Sequence, residues 1–221
     1  MMNGKYTIFL ILNSFFIFYN SNSVEIVELQ QDEWEMYRDL RLKAVQEAPE
    51  AFGTTYEEEL AVTMEDWKRR LNFNMIFAKS ENRIIGMIGA VIDYRSKLNH
   101  VALVISFYVI PEFRNKGIGG LLLDNIINKL KKQKNIRKIN LKVTTNQAAA
   151  VKLYKKNGFH INGVLENEYL INGIYYDQYI MTCSFQNDIE LKNIKEIQKL
   201  FINEKWNNAN EEYALLEARY S

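Results

Sequence analysis

A run of β-branched and apolar residues, Val101–Ile110, ends in Pro111-Glu112-Phe113-Arg114-Asn115-Lys116-Gly117-Ile118-Gly119-Gly120, and a helical pattern follows from about Leu121 to Lys132. This strand, basic glycine loop and helix start constrain the chain more than any other segment. The first N–H groups of a helix lack partners within it, and the helix dipole adds positive potential there, so such a turn makes a cradle for an anion. Gly117 and Gly119 open backbone conformations closed to other residues and let a ligand approach the chain. Arg114 and Lys116 add charge suited to a pyrophosphate or a 3′-phosphate. The spacing excludes several nucleotide loops and one nucleophile turn. Leu122 stands where a dinucleotide fingerprint needs its third glycine, no Gly-Lys-Ser/Thr follows, and no G-x-S-x-G turn is present. On its glycines alone the segment reads equally as a structural turn.

Around that loop the pattern is regular. Val24–Leu29 alternates like a strand, and Asp32 with Glu35 predicts a capping box before a helical face of Trp34, Tyr37, Leu40, Ala44 and Ala48, closed by Pro49. A second helix is predicted near Thr63. Strands follow at Met75–Lys79 and Ile84–Tyr94, divided by Glu81-Asn82, and then at Val101–Ile110. After the loop and its helix come a strand at Ile136–Val143, a helix at Ala148–Lys156 stopped by Asn157-Gly158, and two strands flanking Asn172-Gly173, a strong hairpin-turn dipeptide. The predicted order is β-α-α-β-β-β-α-β-α-β-β. This is a mixed α/β (α+β) domain on one central sheet, not a doubly wound fold.

Composition narrows the chemistry. With 28 Lys+Arg against 27 Asp+Glu the formal charge is +1, which gives no reason to expect a nucleic-acid partner. The basic run Lys129–Lys138 falls at a helix C-terminus, where cations complement the dipole, and it lacks interleaved aromatics. One cysteine, Cys183, excludes an internal disulfide and a cysteine-rich zinc site, and two histidines leave little for a metal centre. No metal is expected. His100 and His160 read as surface or packing residues, and Cys183 as a packed thiol in an apolar strand.

The loop Pro111–Gly119, its helix, and the later Leu153-Tyr154-Lys155-Lys156-Asn157-Gly158-Phe159 resemble the GNAT acetyltransferase superfamily. The first segment is similar to its R/Q-x-x-G-x-G/A acetyl-CoA loop, the second to its L-Y-x-x-x-G-F segment, and the predicted strand order is that family's. The resemblance runs from about Val24 to Phe185. It implies a central mixed, mostly antiparallel sheet flanked by helices and, with acetyl-CoA as co-substrate, direct transfer of acetyl from the thioester to a primary amine of a small molecule or protein. It also implies a bulged strand whose exposed backbone at Phe107, Tyr108 and Val109 pairs with the pantetheine arm, the Val109 N–H polarising the thioester oxygen. The cradle Arg114, Asn115, Lys116, Gly117, Ile118, Gly119 and Gly120 would hold the phosphates, and Tyr154 would act as general acid. A phenol with a reference pKa of about 10 is protonated at neutral pH and can reprotonate a thiolate. From the residues alone Tyr154 is also simply an aromatic on a helix face beside Val151.

Two departures from the family pattern stand out. Gln147 holds the place of an Asn that contacts pantetheine in many members, which leaves Asn146, one residue earlier, as the binding candidate. Lys142 stands near the place where ribosomal-protein alanine acetyltransferases carry a Glu base. The base is therefore unassigned. Pro49–Gly53 and Glu57–Glu59 resemble the family's acceptor-side helices, but a run of charge reads first as a solvated face. Glu65, Asp66 and Asp177 are weaker candidates.

The chain reads as three parts: residues 1–23, an N-acetyltransferase domain at 24–185, and a tail at 186–221. Tyr6–Tyr19 is apolar but shorter than the ~20 residues of a spanning helix. It reads either as a secretory h-region ahead of Ser21-Asn22-Ser23 or as an extension of a cytoplasmic protein. Export or membrane contact applies only if that segment acts as a signal or anchor. Acetyl-CoA chemistry favours the cytoplasm. Leu191, Ile194, Ile197 and Phe201 predict an amphipathic tail helix that docks on the body or a partner, and with the last strand it offers a homodimer contact. A non-catalytic acyl-CoA-binding module is the rival reading.

Overall fold

Two short turns each reverse the chain between neighbouring strands of the sheet. The computed structural model describes residues 23–185 and position 199; the expectations for residues 1–22 and for the tail lie outside the described residues. Glu81 adopts φ 55°, turning β2 (Ile76–Ser80) into β3 (Arg83–Ile92), and Asn172 and Gly173 take φ 52° and 79° between β6 (His160–Ile171) and β7 (Ile174–Ser184). Two consecutive left-handed residues match the twist of a tight hairpin, which is why Asn-Gly serves there. The other strands are β1 (Val24–Val27), β4 (Val101–Val109) and β5 (Lys138–Thr144). Their order across the sheet is β1-β2-β3-β4-β5-β7-β6. Every neighbouring pair is antiparallel except β4 with β5.

Among the described residues five helices, numbered in chain order, flank the sheet: α1 (Trp34–Glu47), α2 (Tyr56–Leu60), α3 (Met64–Leu71), α4 (Ile118–Lys131) and α5 (Ala148–Lys156). Two details correct the sequence reading. The chain enters α1 through a short 3₁₀ turn at Gln31–Glu33, where Glu33, not Glu35, accepts the Gln30 N–H at 2.8 Å. The segment read as a charged run also contains an extra helix, α2. Thr55 caps it, accepting the Glu58 N–H at 3.2 Å while Glu58 accepts the Thr55 N–H at 2.8 Å. This reciprocal pair satisfies two donors that a five-residue helix would otherwise leave free.

The core lies on both faces of the sheet. Ile118, Leu122, Leu123, Ile126, Ile127 and Leu130 form the buried stripe of α4. Each such side chain contributes roughly 1.5–3 kcal/mol by leaving water. Close contact needs Gly86 on β3, where an added Cβ would stand 3.0 Å from Leu122 Cδ1 and 3.1 Å from the Tyr108 carbonyl oxygen. Behind α1, Tyr37 meets Trp67 of α3 edge-on at 5.2 Å and Phe77 of β2 at 5.5 Å. Among the described residues, no helix is long and apolar enough to cross a membrane.

Candidate active site

The site begins where β4 and β5 part. They pair only at Val101–Leu103 with Lys138–Asn140, and β5 continues against β7 instead. On its other side β4 stays with β3 but slips register. Ile105 faces Gly89 and Tyr108 faces Met87, so Ser106 and Phe107 together oppose Ile88. Ser106 carries the bulge at φ 57°. An extra residue bends a strand and increases its twist, which turns the end of β4 away from β5. This is the bulge and splay that the family resemblance implied.

Beyond the bulge the backbone orientation follows from one hydrogen bond. Ile110 donates to the Ile85 carbonyl at 3.0 Å, so Val109, one residue earlier, turns its own N–H and C=O toward the opened side. The Val109 carbonyl accepts Arg114 Nε at 2.9 Å, and the Arg114 guanidinium lies over the Tyr108 ring at 5.6 Å. Arg114 thus ties the loop to the strand as well as carrying charge. The Tyr108 side chain points to the other face and hydrogen-bonds Glu47.

The loop after β4 makes the turn its glycines allow. Asn115 at φ 60° and Gly117 at φ 81° flank Lys116, and Gly117 is the N-cap of α4. Leu121 is the first to donate back to Gly117 (3.0 Å), which leaves the N–H groups of Ile118, Gly119 and Gly120 at the helix mouth. A Cβ at Gly119 would reach 3.3 Å from Leu153 and 3.4 Å from Phe107, while one at Gly117 meets nothing within 4 Å. The helix mouth packs against Phe107 and α5 and is open in front. It fits a phosphate-bearing ligand.

Under the splay lies a cavity of about 350 Å³. Phe107 and Tyr154 face it from β4 and α5, with ring centroids 5.8 Å apart, and Phe159 closes on Tyr154 at 5.9 Å. Tyr154 is only 5% exposed, and burial pushes its pKa well above the ordinary value. Its proton is therefore held at neutral pH. Gln147 belongs to the cavity wall; Asn146 lies exposed in the preceding turn and does not.

The wall formed by α1, α2 and α3 holds what the sequence reading missed. Glu59, taken there for part of a solvated face, is 1% exposed. It accepts Arg41 Nε at 2.9 Å, Arg41 Nη2 at 2.8 Å, Thr54 Oγ1 at 2.6 Å and Arg70 Nη1 at 2.5 Å. Burial by itself would raise its pKa, but the Arg41 charge and the hydrogen bonds from Thr54, Arg70 and Arg41 outweigh that and hold it below the usual value. Arg41 also donates to Ser106 Oγ at 3.3 Å, which links this buried cluster to the bulge. Lys142 sits in the wall and pairs with Glu168 at 2.8 Å. Asp177 is occupied elsewhere, accepting the Asn167 N–H at 2.8 Å in the β6–β7 ladder. His100 and His160 are exposed, and burial raises the pKa of the half-buried Cys183 thiol. Among the described residues no group of three or more His, Cys, Asp or Glu side chains could hold a metal ion.

Comparisons with known proteins agree with this geometry. The chain is 29% identical over 136 residues to N-alpha-acetyltransferase 60 of Xenopus tropicalis, an alignment covering 52% of this chain and 56% of that protein. It thus spans little more than half the length of that relative. It is also 29% identical over 119 residues to the L-amino acid N-acetyltransferase AaaT of Escherichia coli K12, covering 52% of this chain and 73% of that one. Among solved structures, yncA of Salmonella typhimurium with its cofactor acetyl-CoA superposes with a TM-score of 0.64 at 16% identity, over 75% of this chain and 95% of the other. A model of the Acetyltransferase (GNAT) family matches residues 26–159, more than half of the chain. By its sheet, its splayed strands and that match, the chain belongs to the GNAT acetyltransferase family.

Proposed function

We propose that this protein is an acetyl-CoA-dependent N-acetyltransferase that moves acetyl directly to a primary amine. The observation that carries this reading is the opened side of β4, with the Val109 N–H turned toward it, the α4 mouth at one end and the Tyr154 phenol beside the cavity. Acetyl-CoA would lie along Phe107–Val109, its phosphates at Arg114–Gly120. A neutral amine attacks the thioester carbon while the Val109 N–H stabilises the negative charge developing on oxygen. The C–S bond then breaks, the sulfur takes the Tyr154 proton, the amine loses its surplus proton to solvent, and the Tyr154 phenolate takes a proton back from solvent. The products are an amide and the free thiol of CoA. Because this chemistry needs a pool of acetyl-CoA, we place the protein in the cytoplasm.

The retained phenol at Tyr154 favours an enzyme over a module that only binds acyl-CoA. The test is amine-dependent release of the CoA thiol from acetyl-CoA. Gly117→Glu would add a carboxylate in front of the phosphate cradle and strain a backbone at φ 81°. Repulsion between that carboxylate and the phosphates, together with the strain, should weaken acetyl-CoA binding about tenfold or more. Full thiol release by that variant at low acetyl-CoA would count against the cradle.

A further inference from the structure

The charged side chains in the cavity wall are Arg41, Arg70, Lys142, Glu50 and Glu59. Most of them already have partners. Glu59 takes both Nε and Nη2 of Arg41, and Lys142 pairs with Glu168. Two groups keep capacity for a ligand. Arg70 donates only Nη1, to Glu59, and among the described residues its Nε and Nη2 have no acceptor; its side chain is 27% exposed and braced over the Trp67 ring at 4.7 Å. The Glu50 carboxylate has no hydrogen-bond or ion-pair partner among the described residues, while its backbone carbonyl is fixed by Thr144 Oγ1 at 3.2 Å. A third feature is Gln178, 3% exposed in the same wall, whose Oε1 has no partner among the described residues. An orphaned buried acceptor is a standing cost that a ligand N–H would relieve.

One guanidinium, one carboxylate and one amide oxygen call for a ligand that carries both signs of charge and N–H donors. We propose that the acceptor is a free α-amino acid, its carboxylate held by Arg70 and its ammonium drawn toward Glu50. This rests on the reading above that the cavity receives the amine to be acetylated. A polyamine fits the same wall poorly. It brings several positive charges against Arg70 and has only Glu50 to meet them, since Glu59 is enclosed and committed to two arginines. The N-terminal residue of a protein brings the amine without the carboxylate, and leaves Arg70 unanswered. Guanidinium is suited to this task because its planar fork matches a carboxylate and it stays charged at any working pH.

The test uses the full chain, acetyl-CoA and thiol release, with the twenty proteinogenic L-amino acids, each beside its decarboxylated amine and its methyl ester, and with spermidine. At least one amino acid should be acetylated with kcat/KM about tenfold or more above its two carboxylate-free counterparts and above spermidine. Arg70→Gln should lower kcat/KM for that amino acid by about ten- to a hundredfold, mainly through KM, and collapse its preference over the decarboxylated amine. Arg70→Lys should restore part of that preference. A loss of packing would instead lower turnover of both compounds alike. Equal use of amino acid and decarboxylated amine, preference for spermidine, or an equal loss for both compounds in Arg70→Gln would overturn the proposal. So would a protein that binds acetyl-CoA in calorimetry and acetylates no amino acid, with the acetyltransferase reading left standing. Absence of acetyl-CoA binding would remove both.

Discussion

Replacing Tyr154 with Phe should lower kcat by about a hundredfold or more, the contribution of a positioned general acid, while acetyl-CoA affinity stays within about threefold. The substitution removes one oxygen and keeps the ring that packs between Phe107 and Phe159. Its effect on folding should therefore be small, and a thermal melt checks that. The pH dependence adds a second signature. Burial raises the Tyr154 pKa, so its loss of a proton should not cut activity near pH 10, where an exposed tyrosine would begin to titrate. A variant that keeps full turnover, or an activity that falls with an ordinary tyrosine pKa, would remove Tyr154 from the chemistry.

Glu59→Gln should be the most destabilising single change on the acceptor side. Breaking a buried ion pair by removing one partner leaves a charge without compensation and costs about 3–5 kcal/mol. For a domain of this size that lowers Tm by about 6–20 °C. Arg41 is the residue left exposed to that cost, with its side chain only 10% accessible. Glu57→Gln, on the exposed side of the same short helix, is the control and should move stability by less than about 0.5 kcal/mol. The pH dependence has a definite sign. The Glu59 pKa is lowered on folding, so its contribution is complete above the unfolded value of about 4.3 and is lost as pH falls through the folded value. The gap in stability between the wild type and Glu59→Gln should thus be widest near neutrality and close in acid. A gap independent of pH would mean that Glu59 acts through packing and not through charge.

Most strands and the larger helices were legible because their signals are local. The Gly117 turn, the Asn157-Gly158 stop and the Asn172-Gly173 hairpin each rest on a residue that tolerates positive φ. Helix α2 had no place in the local pattern although Thr55 and Glu58 carry its capping box, because three successive glutamates at Glu57–Glu59 read as a solvated face; only the family resemblance implied a helix there. The burial of Glu59 had no local signal at all. Its partners, Arg41 and Arg70, belong to α1 and α3, and only the packing of those helices against the sheet brings the three charges together. The bulge was legible only through the family resemblance. Ser106 is not a residue that announces a left-handed conformation, and its φ of 57° is sustained by its setting, including the Arg41 bond to its hydroxyl. Gln147 was recognised as a departure from the family pattern, and the cavity wall includes it while leaving out its neighbour Asn146.

The most direct test of the central claim is calorimetric titration of acetyl-CoA into the folded protein. The expected result is one site per chain with micromolar affinity, weakened about tenfold or more by Gly117→Glu and left nearly unchanged by Tyr154→Phe. No detectable heat from a protein that shows a cooperative melt would contradict it, since the opened strand and the helix mouth would then stand without the ligand they are argued to hold.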